Sequence, residues 1–179
     1  MTVEEIYKSI DKILLKNIML NDDAMKIMQS LGYNGFKRMH RCNIRELLEC
    51  HIKLENYMFD KYRHILEVTP EINKYDPVNM KNHLDKWKQS LEEDIKSLGD
   101  LNYKHIEVIG ISNCIVEDVL KELLHDYEKV CRYYARFNES NWNPIDIHFV
   151  DDNLHEKIKK YEEKLWFNRY NCNYTTWFK

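Results

Sequence analysis

An all-α fold is predicted by three features of the sequence. Glycine (4) and proline (3) are scarce over 179 residues, so few positions force the chain to turn. Charged residues make up 32% and alternate in sign, as they do on the solvent faces of helices. Apolar residues recur at intervals of three and four over several long stretches, most clearly in ISNCIVEDVLKELLHDYEKVCRYYARF at 111–137.

In that run Val116, Val119, Leu120, Leu123, Tyr127, Val130, Cys131 and Tyr134 share one side, and Glu117, Asp118, Glu122, His125, Glu128 and Lys129 fall elsewhere. Ser112 or Asn113 suits the N-cap, and Arg132 and Arg136 suit the C-terminal end of the peptide dipoles. A stripe this long requires partners of similar length. Val3, Ile6, Tyr7, Ile10, Ile13 and Leu14 mark a first helix ending near Leu20. Asn21-Asp22-Asp23 reads as the cap of a short second piece, broken by Gly32 and Gly35. The run Gly35 to Arg41 is then a locally basic connector, with the chemistry of a solvated helix start or of a phosphate contact. Further stripes lie at 43–65 (Ile44, Leu47, Leu48, Leu54, Met58, Tyr62, Ile65) and 78–98, which Gly99 should stop, and a last one at 153–171. Four such stripes are buried economically as a four-helix bundle, with a helical extension at 1–40 in front of a bundle and tail at 41–179.

The net charge of −3 argues against strong direct binding of nucleic acid. No apolar run reaches membrane-spanning length, and the N-terminus is acidic where a signal peptide would be basic, so a soluble, cytoplasmic protein is expected. Five cysteines without C-x-x-C spacing are expected to be reduced thiols. There is no Gly-rich phosphate loop and no G-x-S-x-G.

Chemistry is most concentrated at 43–65, where His51 and Glu55 stand one turn apart on what reads as a core-facing stripe. Buried imidazole and carboxylate groups require a partner, which is either each other, tyrosine and water, or a metal ion. On the 78–98 stripe, His83 and Asp94 lie near one margin and can reach inward, and Glu93 points further out. Trp166, off the last core stripe, and the tail with Trp177 and Phe178 are candidate contacts between subunits.

VEDVLKELLHDYEKVCRYYAR, followed after a connector by DDNLHEKIKKYEEKLWFNRY, resembles the last two helices of the ferritin-like superfamily. It is especially similar to the mini-ferritins, the DNA-protecting proteins of starved bacteria, through the steps Asp126-Tyr127-Glu128 and Leu165-Trp166-Phe167. HIKLENYMF at 51–59 and EEDIKSLG at 92–99 resemble that family's first-helix and second-helix segments. The inter-subunit iron site of the family is only partly matched: Glu93 fits its glutamate, but Met58 and Gln89 stand where a histidine and an aspartate belong. In a second register 32–63 resembles the second helix of larger ferritins, with His51 matching a di-iron ligand and Leu48 replacing the glutamate before it. Glu122-Leu123-Leu124-His125 has the Glu-x-x-His form of carboxylate di-iron bundles, although His125 points away from its helix's apolar stripe.

The resemblance implies iron as the metal, a homo-oligomeric shell, and metal ligation by His51, Glu55, Glu93 and Asp94. Two functions follow from it: iron binding or storage, with ferroxidase activity at a non-standard site, or a non-catalytic assembly module in which His51 and Glu55 simply bond each other.

Overall fold

The computed structural model describes residues 2–63, 68, 74–104 and 114–142. Its elements are α1 (Val3–Ser30), α2 (Asn34–Tyr62), α3 (Met80–Lys104) and α4 (Cys114–Glu139), and the described residues include no strand. The result is an all-α four-helix bundle. The expected helix at 153–171 and the candidate contacts Trp166, Trp177 and Phe178 lie outside the described residues.

Each helix end has a local cause. Thr2 caps α1 by accepting the Glu5 N–H (3.2 Å), while the Glu5 carboxylate accepts the Thr2 N–H (2.8 Å), a reciprocal capping box. At its other end Gly32 turns left-handed (φ +86°), so that Tyr33 N–H reaches Met28 O (2.8 Å) and Gly32 N–H reaches Gln29 O (3.1 Å). The same paired closure ends α4, with Asn141 (φ 54°) in the glycine's place and Trp142 stacked back on Phe137 at 5.9 Å. Asn79 accepts the Asn82 N–H (2.8 Å) to start α3.

Three expected breaks are absent. Helix α1 continues through Asn21-Asp22-Asp23, because Asn21 is fully buried and donates to Asn17 O, one turn back, while Asp22 pairs with Lys26 at 3.0 Å. Helix α2 begins at Asn34 and takes in the expected basic connector, since Phe36, Met39 and His40 are buried. Helix α3 runs past Gly99 to Lys104: a mid-helix glycine costs only about 1 kcal/mol, and Leu101 beyond it packs on the core.

Residues 3–40 therefore form a full bundle rod and the first turns of the next. Helix α1 lies antiparallel along α2, with Tyr7 against Tyr57 and Asn21 against His40, and α3 pairs with α4. Helix α2 also packs on α4, and α1 more lightly on α3. The core runs from Ile6, Ile10 and Leu14 through Phe36, Leu47 and Leu54 to Trp87, Leu91, Leu123 and Val130. At one end Phe36 meets Tyr133 and Phe137 at centroid distances of 5.0 and 5.9 Å.

Phe36→Ala should cost about 3–5 kcal/mol through the cavity it leaves between α2 and α4, read as a lower urea midpoint at unchanged m-value. Gly32→Ala should cost about 1 kcal/mol, from the left-handed backbone alone, because nothing lies within 4 Å of the added methyl.

Candidate functional site

Two polar constellations stand out, one on the flank between α1 and α2 and one inside the bundle. On the flank, His51 Nδ1 lies 2.5 Å from Asp11 Oδ1, and His51 Nε2 lies 3.0 Å from Glu55 Oε1. Asp11 is buried, the His51 side chain is 17% exposed and that of Glu55 45%. His51 and Glu55 do not face the core as their spacing predicts. Helix α2 turns Leu47, Cys50, Leu54 and Met58 inward, which carries His51 round to α1 and leaves Leu48 and Tyr62, expected in the core, 40% exposed. The hydrogen bond that His51 donates to Asp11, then the charges of Asp11 and Glu55, raise the His51 pKa above its ordinary value against the effect of partial burial.

The other two expected ligands are held elsewhere. Asp94 is buried, accepting from Lys16 Nζ (3.0 Å) and Asn17 Nδ2 (2.9 Å), whereas Glu93 is exposed and accepts from Gln89 (3.2 Å). The four residues thus belong to three separate groups. Among the described residues no three His, Cys, Asp or Glu side chains are disposed to hold a metal ion.

The interior constellation crosses the whole bundle. Tyr75, in the connector before α3, hydrogen-bonds His83 Nδ1, His83 Nε2 meets His40 Nε2 at 2.9 Å, and His40 Nδ1 meets Asn21 Oδ1 at 2.7 Å. Asn43 Nδ2 also donates to Asn21 Oδ1 (3.1 Å), and Lys129 Nζ on α4 donates to Asn43 Oδ1 (2.8 Å). Asn21 spends its Nδ2 on Asn17 O, so its oxygen must face His40, whose Nδ1 therefore carries the proton. His40 Nε2 is then an acceptor, His83 Nε2–H its donor, and Tyr75 O–H the donor to His83 Nδ1. One orientation satisfies every member with both imidazoles neutral.

Burial keeps them so. It drives the His83 pKa down to about 3, and it holds that of His40 well below the ordinary value with help from the His83 and Lys129 charges. Trp87 stacks on His83 (5.6 Å, 11°) and closes the pair off. Beyond Lys129 lie three buried carboxylates, Glu46, Glu122 and Asp126. Burial raises the Asp126 pKa to about 6 against the opposing pull of Lys129, whose Nζ is 3.6 Å away.

Periodicity placed Glu122 and Asp118 off the buried stripe of α4 and left His40 in a connector, but all three are buried. A usable signal was present in the spacing of Phe36, Met39, Asn43, Leu47, Cys50, Leu54 and Met58, a single α2 stripe that takes in His40.

The imidazole pair has a pH signature. A pKa lower in the folded than in the unfolded chain gives stability that is present above about pH 6.5 and is lost as pH falls toward the folded value. Unfolding free energy measured from pH 7 to 4 should decline through this pair, and His83→Leu should flatten the decline while costing about 1–3 kcal/mol at pH 7, since it leaves His40 Nε2 without a donor.

No family model and no curated protein matches the chain. Among solved structures, the crystal structure of M. penetrans ferritin is similar, with a TM-score of 0.59 at 11% identity over 87% of this chain and 94% of that one. At that identity the likeness speaks for architecture alone: the chain has a ferritin-like four-helix fold.

Proposed function

We propose that this chain is an iron-binding protein of ferritin-like fold, taking up Fe²⁺ as cargo at His51 and Glu55. The observation that carries the reading is the Asp11–His51–Glu55 chain on the α1/α2 flank. Asp11 holds Nδ1–H, so His51 aims Nε2 at the Glu55 carboxylate one helical turn away. An imidazole nitrogen and a carboxylate oxygen are donors suited to Fe²⁺, and an orienting carboxylate behind the imidazole strengthens such a ligand. Partial exposure of both ligands leaves the cation a way in. Asp94, committed to Lys16 and Asn17, takes no part in this site, nor does Glu93.

Anaerobic Fe²⁺ titration of the full chain should show binding that His51→Ala abolishes and Asp11→Asn weakens by about 10–100-fold. Admission of air should then give a ferric absorbance that His51→Ala lacks. The cation must displace the Nε2 proton, so affinity should climb as pH rises through the elevated His51 pKa. Binding unaltered in His51→Ala would end the reading.

A role in assembly is favoured by a separate observation. Leu48, Ile52 and Phe59 lie on one outer face of α2 and are 40%, 52% and 48% exposed. As a homo-oligomer built through this face, the protein should elute in size-exclusion chromatography well above its 21.9 kDa chain mass, and Ile52→Glu should lower the apparent mass. An unchanged elution of Ile52→Glu would exclude α2 as the contact.

A further inference from the structure

We infer that the cleft between α1 and α3 is a binding site for a small phosphomonoester, a phosphate carrying a compact apolar group. The two helices pack lightly on each other, and Lys74 and Tyr75 of the connector border the space left between them, a cavity of about 380 Å³. Cavities of this size hold small molecules. Helix α1 lines it with Lys16, Met19 and Leu20, and α3 with Lys86, Gln89, Ser90 and Glu93. Both sets are spaced by three and four, so each helix offers the cleft one continuous face.

The lining selects an anion. It contains three lysines and a single carboxylate, Glu93, whose Oε1 already accepts from Gln89 at 3.2 Å. Lys16 Nζ is anchored by Asp94 at 3.0 Å, and an ammonium so held keeps two further N–H donors. Lys74 is 3.7 Å from Asp76, both side chains being well exposed, and Lys86 has no partner among the described residues. Ser90 adds a hydroxyl that is shielded from solvent and has no hydrogen-bond partner, a state that costs about 1–3 kcal/mol until an acceptor is supplied. Phosphate answers this set better than carboxylate does: it brings up to about two negative charges and three acceptor oxygens to several ammonium groups and a hydroxyl. Met19, Leu20 and the ring of Tyr75, whose hydroxyl is committed to His83, give the rest of the ligand an apolar wall.

The inference does not rest on the flank site, and its test uses the full chain without iron. Phenyl phosphate, titrated calorimetrically at low salt, should bind once per chain, more tightly than inorganic phosphate or benzoate. Lys86→Gln should weaken it by about tenfold, the loss of one charge-assisted hydrogen bond. Lys88→Gln removes the same charge from the face of α3 where Lys88 lies over Tyr134, and should leave the affinity unchanged. Ser90→Ala should weaken binding without lowering the thermal unfolding temperature, because its hydroxyl has no partner to lose. His51→Ala should bind phenyl phosphate as the parent does, whatever it does to iron. The inference is overturned if phenyl phosphate shows no saturable binding, if Lys86→Gln and Lys88→Gln weaken it equally, or if benzoate or inorganic phosphate binds as tightly.

Discussion

Polar and charged groups held inside an apolar bundle must satisfy one another, and most of this structure follows from that requirement. Eleven polar or charged residues are buried among the described positions, against a core of aliphatic and aromatic side chains. Each would cost from one to several kcal/mol if left without a partner. The chain meets the cost with directional networks: imidazole to imidazole, amide to imidazole, ammonium to amide and carboxylate. Such networks leave few alternatives for how the rods can be placed.

The two amides Asn21 and Asn43 are the joints of the interior network. An amide offers an acceptor and a donor at opposite ends, so each can join two elements. Asn21 connects α1 to His40 on α2, and through His40 to His83 on α3; Asn43 connects α2 to Lys129 on α4. A sliding of any helix by one turn would strand several of these groups at once, whereas aliphatic contacts tolerate sliding far better. The polar seam thus sets the register of helices that hydrophobic burial merely draws together.

The flank and the interior are chemically distinct as a result. Inside, neutral imidazoles hydrogen-bond each other and Lys129 bonds Asn43 beside the buried carboxylates. On the flank, Asp11 and Glu55 hold His51 from both sides, and Glu55 is open to solvent.

Sequence alone determined that the chain is all-α and long-helical, because scarce glycine and proline and three-to-four spacing act within each helix and need no knowledge of its neighbours. It also marked Val119, Leu123 and Val130 as core, and His51 with Glu55 as one turn apart. Tertiary structure decided which polar residues go inside. Hydropathy periodicity assigns Glu122, Asp118 and His40 to the outside, since it weighs a side chain's cost in isolation and cannot see Lys53 reaching Asp118, or His83 reaching His40, from another helix. The same blindness made Asn21-Asp22-Asp23 look like a cap and Gly99 like a stop. Local preferences worth about 1 kcal/mol yield when a neighbouring helix offers a hydrogen bond or a core contact to the residue concerned, and only the packed bundle shows where that happens.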